Sequence, residues 1–84
     1  MKLKVLVADD ERLIADTLAI ILNESGFEAT AVYTGDDAIQ TAKTLLSDVL
    51  ISDVVMPGLN GINAAIEIPK VLPTCKILLL SGQF

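Results

Sequence analysis

Residues 5–10 read VLVADD: four apolar side chains are followed directly by two aspartates. A short, continuous apolar run is typical of a strand that is buried on both faces of a parallel sheet. A second run of this kind, VLIS at residues 49–52, ends in Asp53. The pattern therefore predicts two buried strands, each with acidic side chains at its carboxyl end.

Helical periodicity separates the strands. An apolar stripe at i, i+4, i+7 and i+8 predicts a first helix over residues 12–25, and Gly26 provides its left-handed end. Residues 28–32 predict a strand, because residues 29–32 are small or β-branched. Residues 34–37 offer capping side chains for a second helix. The stripe of the first helix consists of Ile14, Leu18, Ile21 and Leu22, and the repeat of the second consists of Ala38, Ala42, Leu45 and Leu46.

The remainder of the chain repeats the alternation. Residues 54–61 carry the turn signals Pro57-Gly58 and Asn60-Gly61, and a third helix is predicted over 62–72. Pro69 lies inside that helix, so we expect an early end or a kink. Residues 76–81 predict a fourth strand. The order βαβαβαβ predicts an α/β fold with a parallel sheet, whose functional groups gather at the carboxyl ends of the strands.

Composition restricts the classes of function. The 84 residues form one small domain or part of one, with a net charge of −5 that argues against a nucleic-acid or anionic-membrane partner. The chain has no histidine, and its single cysteine, Cys75, excludes an internal disulfide and fits a reducing compartment. Zinc, haem and iron–sulfur sites therefore lack ligands. The apolar run at the amino terminus is too short for a signal peptide or a membrane span, so we expect a cytoplasmic protein.

The acidic residues at the strand ends form a candidate metal site. If the first and third strands are neighbours, Asp9, Asp10 and Asp53 converge on one edge of the sheet, and a hard cation such as Mg²⁺ relieves their repulsion. Ser81 would bring a hydroxyl group to the same edge. The alternative for Asp9 or Asp10 is a plain helix N-cap, and for Ser81 an ordinary turn.

Three motifs together resemble the receiver domain of two-component response regulators. They are Asp9-Asp10-Glu11 after the first strand, SDVVMPGLNG at residues 52–61, and KILLLSG at residues 76–82. The resemblance spans all 84 residues, which correspond to the amino-terminal two thirds of a single receiver domain. It implies a flavodoxin-like, doubly wound parallel sheet with strand order 2-1-3-4 that stops after the fourth strand.

The resemblance also implies a role for each site residue. Asp53 would be the phosphoacceptor, which takes a phosphoryl group from a sensor histidine kinase, and Ser81 the switch hydroxyl. Asp10, Asp53 and the backbone carbonyl of Val55 would bind Mg²⁺ directly, and Asp9 would bind it through water. Kinases would meet the first helix and the loops around the acidic edge. Such a domain is a signalling module and not an enzyme.

The chain departs from a whole receiver domain after its fourth strand. The lysine that ends the fifth strand of such domains has no equivalent, because Lys70 and Lys76 are not placed to replace it. The fourth strand becomes a bare apolar edge, so we expect either a longer chain or self-association through that edge.

Two other functions fit part of the pattern. A phosphatase or phosphotransferase with an aspartate nucleophile usually carries a second aspartate two residues later, where this chain has Val55. A receiver that is not phosphorylated and serves only as an interaction module would also lack the lysine, although it would not need all three acids.

Overall fold

A computed structural model of the chain describes residues 2–53 and 61–80, in which four strands alternate with three helices. The elements are β1 (Lys4–Ala8), α1 (Arg12–Glu24), β2 (Glu28–Val32), α2 (Gly35–Leu45), β3 (Val49–Asp53), α3 (Gly61–Val71) and β4 (Lys76–Leu80). Each strand was predicted to within one residue at either end. The predicted loop over 54–61 falls outside the described residues except for Gly61, which begins α3.

The four strands form one sheet in the order β2-β1-β3-β4, and all three neighbouring pairs are parallel. This confirms the predicted order 2-1-3-4. The register sets Ala8 beside Ser52, so the residues that follow β1 lie beside the carboxyl end of β3. The acids at the two strand ends are therefore brought to the same edge of the sheet.

Alternating side chains of β1 and β3 divide the core into two layers. Leu6, Ala8 and Leu50 are buried with residues of α2 and α3 on one face. Val5 and Val7 pack with Ala15 of α1 on the other face. Each buried strand thus contributes to both layers, as its continuous apolar sequence predicted.

The face by which α1 packs differs from the predicted stripe. Ala15 and Ala19 are its buried residues, whereas Ile14 and Ile21 are about half exposed. Small side chains on the contact line let the helix backbone approach the sheet closely, and Leu18 and Leu22 flank that line in the same core layer. The predicted stripe was rotated from the true one because it counted large apolar residues and passed over alanine.

A capping side chain marks the beginning of α2, whereas the proline in α3 does not end that helix. The Thr34 hydroxyl caps α2 by accepting a hydrogen bond from the Asp37 N–H at 3.0 Å. Helix α3 includes Pro69 and continues to Val71, so the helix does not end early at the proline, and the kink that was the alternative stays a prediction. A proline in the last turn removes only one hydrogen bond near the helix end, where the loss is small.

The described helices are all short. The longest, α1, has 13 residues, and none of the described helices is long and apolar enough to span a bilayer.

Candidate functional site

Three carboxylates converge at the carboxyl edge of the sheet. Asp9 and Asp10 follow β1, Asp53 ends β3, and each of the three offers an oxygen atom within 4.8 Å of the oxygens of the other two. Asp9 and Asp53 are half-buried and Asp10 is exposed. The sequence predicted this convergence from the two buried strands, and the parallel pairing of β1 with β3 produces it.

Opposing effects act on the pKa of Asp9. Burial raises the pKa of this carboxyl group, the N–H of Glu11 lowers it by donating a hydrogen bond, and the nearby charges of Asp53 and Asp10 raise it again. The net result is a pKa above the ordinary value of 3.8. The site is thus a cluster of negative charges. A bound cation would reduce the repulsion between the carboxylates and offset the cost of burying the charge of Asp9.

The helix-cap alternative does not account for these aspartates. The N-cap residue of α1 is Glu11, and no side chain caps the helix there. One oxygen of Asp9 accepts the Glu11 N–H at 2.9 Å, which fixes the turn between β1 and α1. Asp9 therefore supports the turn and also belongs to the acidic cluster.

A polar cluster beside the site was not predicted from the sequence. The Tyr33 hydroxyl, just after β2, donates a hydrogen bond to Asp16 at 2.5 Å, and this bond raises the pKa of Tyr33. The Arg12 guanidinium lies 4.1 Å from the centre of the Tyr33 ring, in a cation–π contact. The available signal was the spacing of Arg12 and Asp16, which share one face of α1 at i and i+4.

Other predicted site residues lie elsewhere or outside the described part. Val55 and Ser81 fall outside the described residues. Lys70 forms an ion pair with Glu67 on α3, at 3.4 Å. Lys76 pairs in register with Val49 at the amino end of β4, whereas Asp53 pairs with Leu80 at its carboxyl end. Lys76 is therefore at the end of the sheet opposite to the carboxylates, as expected.

The donor set fits a hard divalent cation. Carboxylate oxygens are the ligands that Mg²⁺ prefers, and oxygens bound to one Mg²⁺ lie roughly 3–4 Å apart, given bonds of about 2.0–2.1 Å. Oxygens within 4.8 Å of one another can therefore bind one ion, some directly and some through water. Asp9, Asp10 and Asp53 are the residues that would hold it.

The chain is similar to response regulators in sequence and in fold. Residues 5–83 match the family described as the response regulator receiver domain. The chain is 35% identical over 81 residues to the chemotaxis protein CheY of Thermotoga maritima, which covers 95% of this chain and 68% of that protein. It is 32% identical to the DNA-binding response regulator MtrA of Mycobacterium tuberculosis, covering 90% of this chain but only 36% of the relative.

A solved structure agrees with these relatives. The chemotaxis response regulator CheY4 of Vibrio cholerae superposes with a TM-score of 0.87 at 29% identity, covering 99% of this chain and 71% of that one. The flavodoxin-like fold expected from the sequence is therefore confirmed. On the family match and these relatives, this chain belongs to the response regulator receiver family of two-component signalling.

Proposed function

We propose that the chain is a phosphoacceptor whose Asp53 receives a phosphoryl group from the histidine of a sensor kinase in a reaction that needs Mg²⁺. The convergence of Asp9, Asp10 and Asp53 within 4.8 Å is the observation that carries this proposal. Three carboxylates at the end of a parallel sheet supply both a nucleophile and the ligands of a divalent cation.

Each residue of the site has its own role in the phosphoryl transfer. A carboxylate oxygen of Asp53 forms the new bond to phosphorus as the bond between phosphorus and the kinase imidazole nitrogen breaks, and that nitrogen keeps the bonding electron pair. Bound Mg²⁺ would supply positive charge that lets an anionic phosphoryl group approach carboxylates. Asp10 and Asp53, with the backbone carbonyl of Val55, would bind the ion directly, and Asp9 would act through a bound water. Ser81 would donate a hydrogen bond to the phosphoryl group.

The exposed face of α1 supports contact with a kinase. Leu13 is 79% exposed and Ile14 and Ile21 are about half exposed, and all three line one groove on the helix that starts beside the carboxylates. Large apolar side chains on one exposed surface are typical of protein interaction sites. We infer that residues 13–22 and the acidic edge form the kinase contact together.

We further infer that residues 1–84 are the amino-terminal part of a single receiver domain that works in the cytoplasm. The single cysteine fits a reducing compartment, and the net charge of −5 argues against direct binding of nucleic acid or an anionic membrane by this segment.

Phosphorylation of Asp53 is tested with a small phosphodonor such as acetyl phosphate and Mg²⁺, followed by intact mass. We expect one added phosphoryl group, lost in Asp53→Asn and on chelation, and retained in the control Asp36→Asn, which removes an exposed carboxylate outside the cluster of three. Turnover of a phosphoester would point to a phosphatase instead. A chain that neither responds to Mg²⁺ nor gains mass would be an interaction module, and the proposal would be wrong.

A further inference from the structure

Two serines are buried along the third strand. Ser52 lies within β3 and is 0% exposed, and Ser47, which precedes the strand, is 2% exposed. Serine is mostly found on protein surfaces, and burying a hydroxyl group costs free energy unless the group is hydrogen-bonded. A serine in the core beside an apolar strand is therefore expected to have a specific hydrogen-bond partner.

The two hydroxyl groups differ in their partners. The Ser52 hydroxyl donates a hydrogen bond to the backbone carbonyl of Asp53 at 3.0 Å. The Ser47 hydroxyl has no hydrogen-bond partner within residues 2–53 and 61–80. Ser52 is thus bonded to the backbone of a residue of the acidic cluster, and Ser47 provides an internal comparison at the other end of the strand.

Ser52 lies in an apolar layer of the core. Leu50, two residues earlier, packs with α2 and α3, so the Ser52 side chain lies on that face of the sheet. The register sets Ser52 beside Ala8, which is buried in the same layer. Alanine or valine would suit these surroundings, so packing does not explain the hydroxyl group. Its bond to the Asp53 carbonyl does.

The hydrogen bond restrains the backbone of Asp53. Because the peptide bond is planar, the position of the Asp53 carbonyl oxygen relative to Ser52 depends on the ψ of Ser52 and on the φ and ψ of Asp53. A bond from the Ser52 side chain to that oxygen therefore restrains both torsions of Asp53. Asp53 is the last residue of β3, where such a restraint matters more than in the middle of a strand.

The same torsions direct the Asp53 carboxylate. The direction of a Cα–Cβ bond follows from the backbone, and successive side chains of a strand point to opposite faces. Ser52 thus holds the backbone from one face, and an oxygen of the Asp53 carboxylate lies within 4.8 Å of oxygens of Asp9 and Asp10. Groups that bind a metal or react must be held to within about 0.5 Å of their working positions.

We propose that Ser52 is a positioning residue of the acidic site, whose hydroxyl group holds the Asp53 backbone so that the carboxylate is aligned for Mg²⁺ binding and for phosphoryl transfer. Ser52 acts through Asp53 and is not itself a ligand of the ion. The roles of Asp53 as ligand and as nucleophile rest on the proposed function, whereas the restraint on its backbone does not.

A positioning role predicts that stability and function respond differently to loss of the hydroxyl group. Ser52→Ala removes a buried hydroxyl group from an apolar layer, so we expect the midpoint of urea unfolding to stay the same or rise. Ser47→Ala is the matched control, because it makes the same chemical change at the other end of the strand. It should not lower the midpoint either. A large fall in the midpoint of Ser52→Ala would show a structural role and overturn the proposal.

Calorimetric titration with Mg²⁺ tests the alignment of the carboxylates. We expect Ser52→Ala to bind the ion about tenfold more weakly than the native chain, and Ser47→Ala to bind it equally well. Ser52→Thr keeps the hydroxyl group and should restore most of the affinity. Native affinity in Ser52→Ala, or an equal loss in Ser47→Ala, would overturn the proposal.

Nuclear magnetic relaxation of the Asp53 amide tests the restraint without any metal. We expect an order parameter of about 0.85 in the native chain and in Ser52→Thr, as in a rigid backbone, and a clearly lower value in Ser52→Ala. Ser47→Ala should match the native chain. Equal order in the native chain and Ser52→Ala would show that the hydrogen bond restrains nothing, and the proposal would be wrong.

Phosphorylation distinguishes failure of this proposal from failure of the proposed function. At saturating Mg²⁺ we expect the initial rate with acetyl phosphate to fall about tenfold in Ser52→Ala, because the nucleophile is less well aligned, and to stay unchanged in Ser47→Ala. A native rate in Ser52→Ala would overturn the effect on the nucleophile. If the native chain bound no Mg²⁺ and gained no phosphoryl group, the proposed function would be wrong, and the order of the Asp53 amide would decide whether Ser52 holds that residue.

Discussion

At the scale of single residues, Asp9 combines a structural and an electrostatic role. Its carboxylate holds the turn into α1 through the Glu11 N–H, yet it is partly buried beside two other acids. The raised pKa means that the protonated form is the one the folded state favours. The contribution of Asp9 to stability is therefore greatest below the unfolded pKa of 3.8 and is lost as pH rises through the higher pKa of the folded state.

Removing the charge of Asp9 should stabilise the metal-free protein at neutral pH. Asp9→Asn keeps an oxygen that accepts the Glu11 N–H but ends the repulsion by Asp10 and Asp53. We therefore expect the free energy of unfolding to rise by about 0.3–1 kcal/mol, a gain limited by solvent screening. The gain should shrink as pH falls toward 3.8, because the native aspartate then becomes neutral as well. Urea unfolding at fixed ionic strength measures both effects.

The control variant should change stability in the opposite direction. Asp36→Asn also removes one negative charge, but Asp36 lies in the first turn of α2, where a carboxylate interacts favourably with the helix dipole. It should lower stability slightly at neutral pH. If both variants changed stability in the same direction, the net charge of the chain and not the acidic cluster would explain the effect.

At the scale of elements, two helices end in the left-handed conformation with different residues. Gly26 follows α1 with φ at +99°, and Leu46 is the C-cap of α2 with φ at +53°. Gly26 was predicted from the sequence because glycine is the usual residue there. Leu46 was instead assigned to the apolar repeat of the second helix, but it is 63% exposed and lies beyond the last helical residue.

Exchanging the residue types at these helix ends should have opposite effects. A Cβ at Gly26 would meet no atom within 4 Å, so Gly26→Ala costs only backbone strain, about 1 kcal/mol. Leu46→Gly removes strain of that kind and should stabilise the protein by up to about 1 kcal/mol. Thermal unfolding of both variants checks this, and a destabilising Leu46→Gly would show that the Leu46 side chain contributes more than its exposure indicates.

The helix faces mark the limit of what the sequence could predict. The strands and their order follow from short apolar runs, and the acidic site follows from the residues after them. The buried face of α1 could not be predicted in this way, because its buried residues, Ala15 and Ala19, are only weakly hydrophobic. Which side of a helix with many apolar residues faces the sheet is decided by how closely the backbones can approach, and that depends on the sheet as well as the helix.

The corrected face of α1 predicts unequal effects of neighbouring substitutions. Ile21 is 53% exposed, so Ile21→Ala should cost less than about 1 kcal/mol, whereas Leu22 packs in the core layer and Leu22→Ala should cost about 2 kcal/mol or more. Both substitutions place alanine in the same helix turn, and the difference in helix propensity between isoleucine and leucine is only on the order of a few tenths of a kcal/mol. Equal losses in urea unfolding would favour the original stripe.

At the scale of the whole molecule, the two faces of the sheet are covered unequally. Helices α2 and α3 pack on one face, and α1 is the one described helix on the other. A shallow apolar groove of about 330 Å³ runs along α1, lined by Leu13, Ile14, Thr17, Leu18 and Ile21. A small domain with this much apolar surface in water has a modest stability margin, so ligands that bind only the folded state should have visible effects.

Magnesium should therefore raise the melting temperature of the whole chain. At tenfold its dissociation constant an ion that binds only the folded state adds about 1.4 kcal/mol, or roughly 5–10 °C for a domain of this size. The increment should be reduced in Asp53→Asn and should fall as pH drops from 7 toward the raised pKa of Asp9, because metal binding needs ionised carboxylates. Differential scanning fluorimetry at constant protein concentration, with KCl matched for ionic strength, separates binding from screening. An equal increment in Asp53→Asn would mean that Mg²⁺ binds elsewhere, and the site would lose its proposed chemistry.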